Sequence, residues 1–148
     1  MKSAIPERET LEIEFKSDQK KLPDNDIVDA VVAFANTIGG TIYLGVENDG
    51  TVTGLHKAHH DYTQLAAYIA NKTVPPVSVR VELLEEVFPV LAIHVPKCRS
   101  IIASSVGKIQ RRRIKADGTP ENVPMYPFEI NTRLSELSLL DFSAQPVP

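Results

Sequence analysis

The sequence predicts an α+β domain: a mixed, largely antiparallel sheet with hairpins, packed against two or three helices. Three observations carry this. "LEIEFK", "TIYLGV", "VSVRVEL" and "FPVLAIHV" have the length and apolar pattern of strands. Turn chemistry at Asp49-Gly50 and an acidic turn at Glu85-Glu86 separate strand-like runs. Elsewhere, beginning near Asp24, after His56 and near Pro127, apolar residues recur at helical spacing.

Taken in order, Leu11, Ile13 and Phe15 alternate with Glu12, Glu14 and Lys16, giving a first strand with one buried face. After Pro23, Asp24 or Asn25 offers a side-chain oxygen to cap a helix. That helix carries Ile27, Ala30, Val31, Phe34 and Ile38, with Val28 and Val32 widening its apolar face, and Gly39 ends it. "TIYLGV" is a buried strand, and "ENDGTVTGL" turns into the next one. Tyr62, Leu65, Ala66 and Ile69 mark a second helix. Two strands follow, then one over residues 107–114, a loop "KADGTPENVPMYP", and a last helix with Ile130, Leu134 and Leu137. The domain is expected to occupy residues 1–140, with 141–148 opening a linker to a further region.

At 148 residues, 43% hydrophobic and 24% charged, the chain suits one domain with a core that needs no metal or disulfide. The lone Cys98 excludes an internal disulfide and points to the cytoplasm. The start has no apolar signal core, and the longest apolar stretch, Val87 to Val95, is far short of a membrane span. A net charge of −3 argues against binding a polyanion through total charge. Distribution says more: five of the 16 basic residues lie between Lys108 and Lys115, and five acids between Glu7 and Asp18. A basic patch on an acidic body is expected.

"AFANTIGGTIYLGVENDG" invites a phosphate-loop reading that its order rejects. A phosphate loop runs strand, glycine turn, helix N-terminus; here a helix C-terminus, carrying partial negative charge, meets the glycines, and no Gly-Lys-Ser/Thr follows. Gly39-Gly40 is expected to serve as a cap and a close crossing of helix and strand, and no nucleotide or other cofactor is expected.

With "EFK" on the first strand and Phe34, Asn36, Gly39, Gly40, Gly45, Val46, Gly50 and Gly54 behind it, the chain resembles the Schlafen-type Alba-like domain. The resemblance covers about residues 9–137. It implies a DNA-binding module heading bacterial or archaeal transcriptional regulators or helicase-related proteins. That family commonly has a tyrosine-arginine strand and a glycine-serine turn; "IQRRRIKADGTPENV" has Gln110 at the aromatic place and a longer turn.

The strongest candidate site is the basic run Lys108, Arg111, Arg112, Arg113 and Lys115. Arginines bind phosphate oxygens bidentately, and a cluster gives salt-dependent, sequence-independent affinity. With charge on both faces, the run is expected to be an edge strand or a strand end in solvent; edge protection, or pairing with Glu12 and Glu14, is the plainer explanation. The resemblance supplies an alternative. In Schlafen relatives that cleave RNA, two glutamates and a later carboxylate form a metal-dependent centre, and the matching positions here are Glu9, Glu14 and Glu47. His56, His59 and His60 are expected on an exposed loop, without a metal, and Cys98 as an ordinary loop thiol. The leading function is therefore nucleic-acid binding in a transcriptional regulator, DNA before RNA, with no membrane partner. A metal-dependent endoribonuclease and a protein-interaction or homodimerisation domain are the alternatives.

Overall fold

The computed structural model describes residues 4–144, with side-chain surroundings through residue 139. In chain order the elements are β1 (Ile13–Lys16), α1 (Asp24–Ala35), β2 (Gly40–Leu44), a 3-10 turn (Lys57–His59), α2 (Leu65–Asn71), β3 (Thr73–Val74), β4 (Arg80–Glu85), β5 (Pro89–Val95), β6 (Ala103–Ser104), β7 (Gln110–Ile114), β8 (Pro120–Pro124) and α3 (Pro127–Ala144). The main sheet has the order β1-β2-β5-β4. Only β1 and β2 run parallel in it, because α1 makes the crossover between them; β2-β5 and β5-β4 are antiparallel. β3-β6 and β7-β8 are separate antiparallel pairs. This is the mixed, largely antiparallel α+β architecture expected from the sequence.

The period-two pattern assigns the faces. Ile42, Leu44, Leu91, Ile93 and Val95 pack with Ile27, Val31 and Phe34 of α1 and with Leu65 and Ile69 of α2. On the other side Phe15, Tyr43, Val90 and Ala92 gather Ile5 and Val46. Phe34 is wholly buried, worth about 1.5–3 kcal/mol for such a side chain relative to exposure.

The glycine-rich block is scaffold. α1 stops at Ala35, three residues before Ile38, which is 42% exposed and not on a buried face as its spacing suggested. Asn36 intervenes: its amide donates to the carbonyls of Ile102 (2.8 Å) and Gln110 (2.9 Å) and accepts from the Ile102 N–H (2.7 Å). Gly39, at φ +74°, then closes the end by donating to the Phe34 carbonyl. Gly40 has φ +145°, and a Cβ there would lie 2.3 Å from the Glu12 carbonyl oxygen and 2.6 Å from the Phe34 ring. Only glycine lets β2 cross β1 and α1 so closely.

Other boundaries also shift for local reasons. Pro23 occupies the N-cap of α1 without a side-chain cap bond, and Asp24 instead accepts from His59. The segment read as one loop after Ile114 contains β8; its prolines, Pro120 and Pro124, stand at the strand ends, where a missing N–H is tolerated. α3 continues through Ala144, so the proposed linker overlaps the helix as far as 144, and 145–148 lie outside the described residues. No helix among the described residues is long and apolar enough to cross a membrane.

Candidate nucleic-acid interface

β7 is the central element of the basic run, and its two faces have opposite fates. The expectation of charge in solvent on both sides fails at Arg112, which points inward with its side chain 0% exposed. Its five guanidinium N–H groups have acceptors: Nε on the Leu11 carbonyl (2.7 Å), Nη2 on the Thr10 (2.7 Å) and Ile13 (3.2 Å) carbonyls, and Nη1 on Glu14 Oε1 (3.0 Å) and Asn122 Oδ1 (2.9 Å). The cation also lies 4.1 Å from the centroid of the Phe34 ring. The backbone N–H of Arg112 donates to Thr37 Oγ1 (2.9 Å). Arg112 thus fastens the β7-β8 hairpin onto the end of α1 and the turn before β1. The pairing with Glu14 is the one the alternation of "LEIEFK" made available.

Arg111 and Arg113 face outward by strand alternation. Arg111 donates to Glu129 on α3, and Arg113 to Glu121 on β8 (2.6 Å) with a side chain 53% exposed. Lys115 is exposed where the hairpin turns, and makes no ion pair with any described residue. Lys108 turns back to Asp29 of α1 (3.1 Å). Of the five basic residues, three therefore share the outer side of the hairpin.

At the turn end of the hairpin lies a cleft of about 820 Å³. Arg8, Lys16 and Lys115 line it together with Glu9, Glu14 and Asp117. Glu9 reaches it because the chain reverses just before β1: Thr10 and Ile13 exchange backbone hydrogen bonds, which swings Glu9 beside the strand instead of across it. Burial, and then the charge of Glu14, raises the Glu9 pKa above its ordinary value. Glu14 Oε2 is buried without a hydrogen bond, with Lys16 Nζ 3.8 Å away. The third carboxylate does not join them. Glu47 accepts from Thr53 Oγ1 (2.6 Å), while its neighbour Asn48 lines the cleft. Among the described residues no group of three or more His, Cys, Asp or Glu side chains is disposed to hold a metal ion. A three-carboxylate metal centre does not fit this arrangement.

The histidine loop departs from expectation. His59 is buried, 6% exposed, between two carboxylates: Nδ1 on Asp18 Oδ2 (2.8 Å) and Nε2 on Asp24 Oδ1 (3.0 Å). Burial lowers the ring's pKa, but the hydrogen bonds to Asp24 and Asp18 outweigh it and leave the pKa above the ordinary value. Asp18 also accepts from the Leu22 and His56 N–H groups, so one carboxylate ties its own loop to the His56–His59 turn. Histidines in sequence carry no periodic signal that would reveal this. Cys98 is half-buried, and burial pushes its thiol pKa up.

Against this geometry, the family described as Schlafen, AlbA_2 matches residues 9–120. The chain belongs to that family. Membership supports a nucleic-acid-binding domain as the general class of function. Among solved structures, the chain is similar to the DIP2311 protein from Corynebacterium diphtheriae, with a TM-score of 0.63 and 21% identity. The match covers 78% of this chain and 25% of that one, so this chain spans about a quarter of its length, and the likeness speaks for the fold alone. Among curated proteins no match was found.

Proposed function

We propose that this Schlafen AlbA_2 domain binds nucleic acid, DNA before RNA, by laying the phosphate backbone along the outer side of the β7-β8 hairpin. The observation that carries the reading is the succession Arg111, Arg113, Lys115 on that side, leading into a cleft that adds Arg8 and Lys16. The ion pairs of Arg111 and Arg113 do not remove them from use: the exposed Arg113–Glu121 pair is worth about 0–1 kcal/mol and yields to a competing phosphate, while Arg111, more shielded in its pair with Glu129, keeps 30% of its side chain exposed. In this reading residues 1–140 act as the DNA-contacting module of a cytoplasmic transcriptional regulator. The resemblance noted from sequence supports DNA.

Mobility-shift titrations with duplex DNA, single-stranded DNA and structured RNA test this, each over a range of salt. Binding is expected, with a log–log salt slope that falls by roughly 0.9 per lost phosphate contact on duplex when Arg111, Arg113 and Lys115 become alanine. An unchanged slope in the folded triple variant rejects the interface. A nuclease reading stands second because Glu9 and Glu14 share one cleft. Adding Mn²⁺ to the same titrations tests it: cleavage lost in both Glu9→Ala and Glu14→Ala, with folding intact, would promote it to first place.

A further inference from the structure

The end of the hairpin remote from the cleft carries a feature that phosphate binding does not use. Tyr126 and Phe128, at the entry to α3, are 59% and 70% exposed. Their rings lie 6.4 Å apart between centroids and 13° from parallel. Two large aromatic faces in water are costly to leave uncovered, and a parallel pair presents flat surfaces in one orientation.

The pair is held in place. Glu129 accepts from the Tyr126 backbone N–H through Oε1 (3.1 Å), the return half of a capping box, and from Arg111 through Oε2. One carboxylate therefore ties the aromatic entry of α3 to the outward arginine of β7. The Tyr126 N–H bond, opposed by burial and aided by Arg111, keeps this carboxyl below its usual pKa. Met125 N–H donates to the Ile109 carbonyl (2.8 Å), which holds the segment just before Tyr126 to the start of the same strand. Between them runs a shallow groove of about 400 Å³ lined by Gly107–Gln110 and Pro124–Met125.

We propose that Tyr126 and Phe128 form a stacking platform for unpaired bases, so that the strand crossing this end of the hairpin is single-stranded. The proposal rests on the nucleic-acid reading above and deepens it. Aromatic faces beside planar, cationic side chains are what single-strand binding uses: the cations follow the backbone and each base offers a π-face whatever its sequence. A duplex hides those faces inside its stack. Arg111 and Arg113 supply the neighbouring charge, which favours nucleic acid over an apolar protein partner.

The test uses the 148-residue chain, a single-stranded oligonucleotide containing 2-aminopurine, and its duplex. Single-strand binding is expected to quench the fluorophore. Tyr126→Ala and Phe128→Ala should each weaken single-strand affinity by about tenfold, within the range for loss of one base–aromatic stack, and leave duplex affinity within about twofold. Tyr126→Phe should retain quenching. Unchanged single-strand affinity in the folded double alanine variant overturns the platform, as does an equal loss on duplex. Self-association abolished by the double variant, with oligonucleotide binding intact, overturns it in favour of a contact between copies. If the wild type binds no oligonucleotide of either form, the proposed function falls and takes the platform with it. Binding that ignores Tyr126 and Phe128 defeats the platform alone.

Discussion

Arg112 and Arg113 are adjacent in the chain, on one strand, and their surroundings have little in common. Arg112 has no exposed side chain, five hydrogen-bond acceptors and an aromatic ring beneath it. Arg113 is half in water with one carboxylate partner. The inner face of β7 is assembly, and the outer face is charged surface open to solvent. The lesson is that a basic run gives charge but not direction. A two-residue period assigns alternate members to different jobs, and burial by a neighbouring element decides which is which.

The largest effect should come from the inner face. Arg112→Ala removes the buried cation hydrogen-bonded to Glu14, leaving only the more distant Lys16 at 3.8 Å, and takes one donor from each of three backbone carbonyls. Breaking a buried pair by removing one partner costs about 3–5 kcal/mol, chiefly because an uncompensated charge stays behind. Chemical denaturation should show the midpoint fall sharply. A double change, Arg112→Met with Glu14→Gln, should recover part of the loss, because no buried charge then remains. If Arg112→Ala unfolds no more easily than Arg113→Ala, the contrast between the two faces is wrong.

How much of this was legible follows the same division. Strand period and turn chemistry located β2, β4, β5 and β7, since those signals are local. Glycine chemistry separated a helix cap and crossing from a phosphate loop, since that argument needs only chain order. What was hidden depended on long-range partners. Arg112 is inward because Asn36 and Thr37 at the end of α1 hold β7, contacts about 75 residues apart. β8 escaped because Pro120 and Pro124 signal a loop to any local rule. Glu9 joins Glu14 only through the reversal at Thr10, which no alternation pattern contains.

The second prediction takes the contrast to another buried ion group, His59 between Asp18 and Asp24. Its folded pKa lies above the ordinary 6.5. In the pH window between the unfolded and folded values the native state binds more protons than the unfolded one, so stability falls as pH rises. The contribution is fully present below the unfolded value and lost as pH climbs through the folded one. Asp18 and Asp24 are the carboxylates bonded to the ring, and no other group hydrogen-bonds to its nitrogens among the described residues. Melting temperature should decline as pH rises from the ordinary histidine value through the raised folded value, and His59→Gln should flatten that decline by removing the titrating ring. A wild-type profile parallel to that of His59→Gln would mean the ring's protonation does not differ between folded and unfolded states.

The smallest effect on stability is expected at Arg113, and it is the most informative of the three. Its pair with Glu121 is short, 2.6 Å, yet the two side chains are 53% and 31% exposed. Water screens such a pair, and fixing two flexible side chains opposes it, so Arg113→Ala should cost less than about 1 kcal/mol. Structural importance would then be excluded as the cause of any binding defect. If the outer face meets phosphate, the same substitution should lower the salt slope on duplex by roughly 0.9 while the melting curve barely moves. Arg113→Lys should restore most of the slope, because counterion release depends on charge, but less of the affinity, because a bidentate fork becomes a point charge. Neighbouring arginines would then divide cleanly, Arg112 changing stability and Arg113 changing salt dependence. A slope untouched by Arg113→Ala would remove this arginine from the interface and leave Lys115 and the cleft cations to carry it.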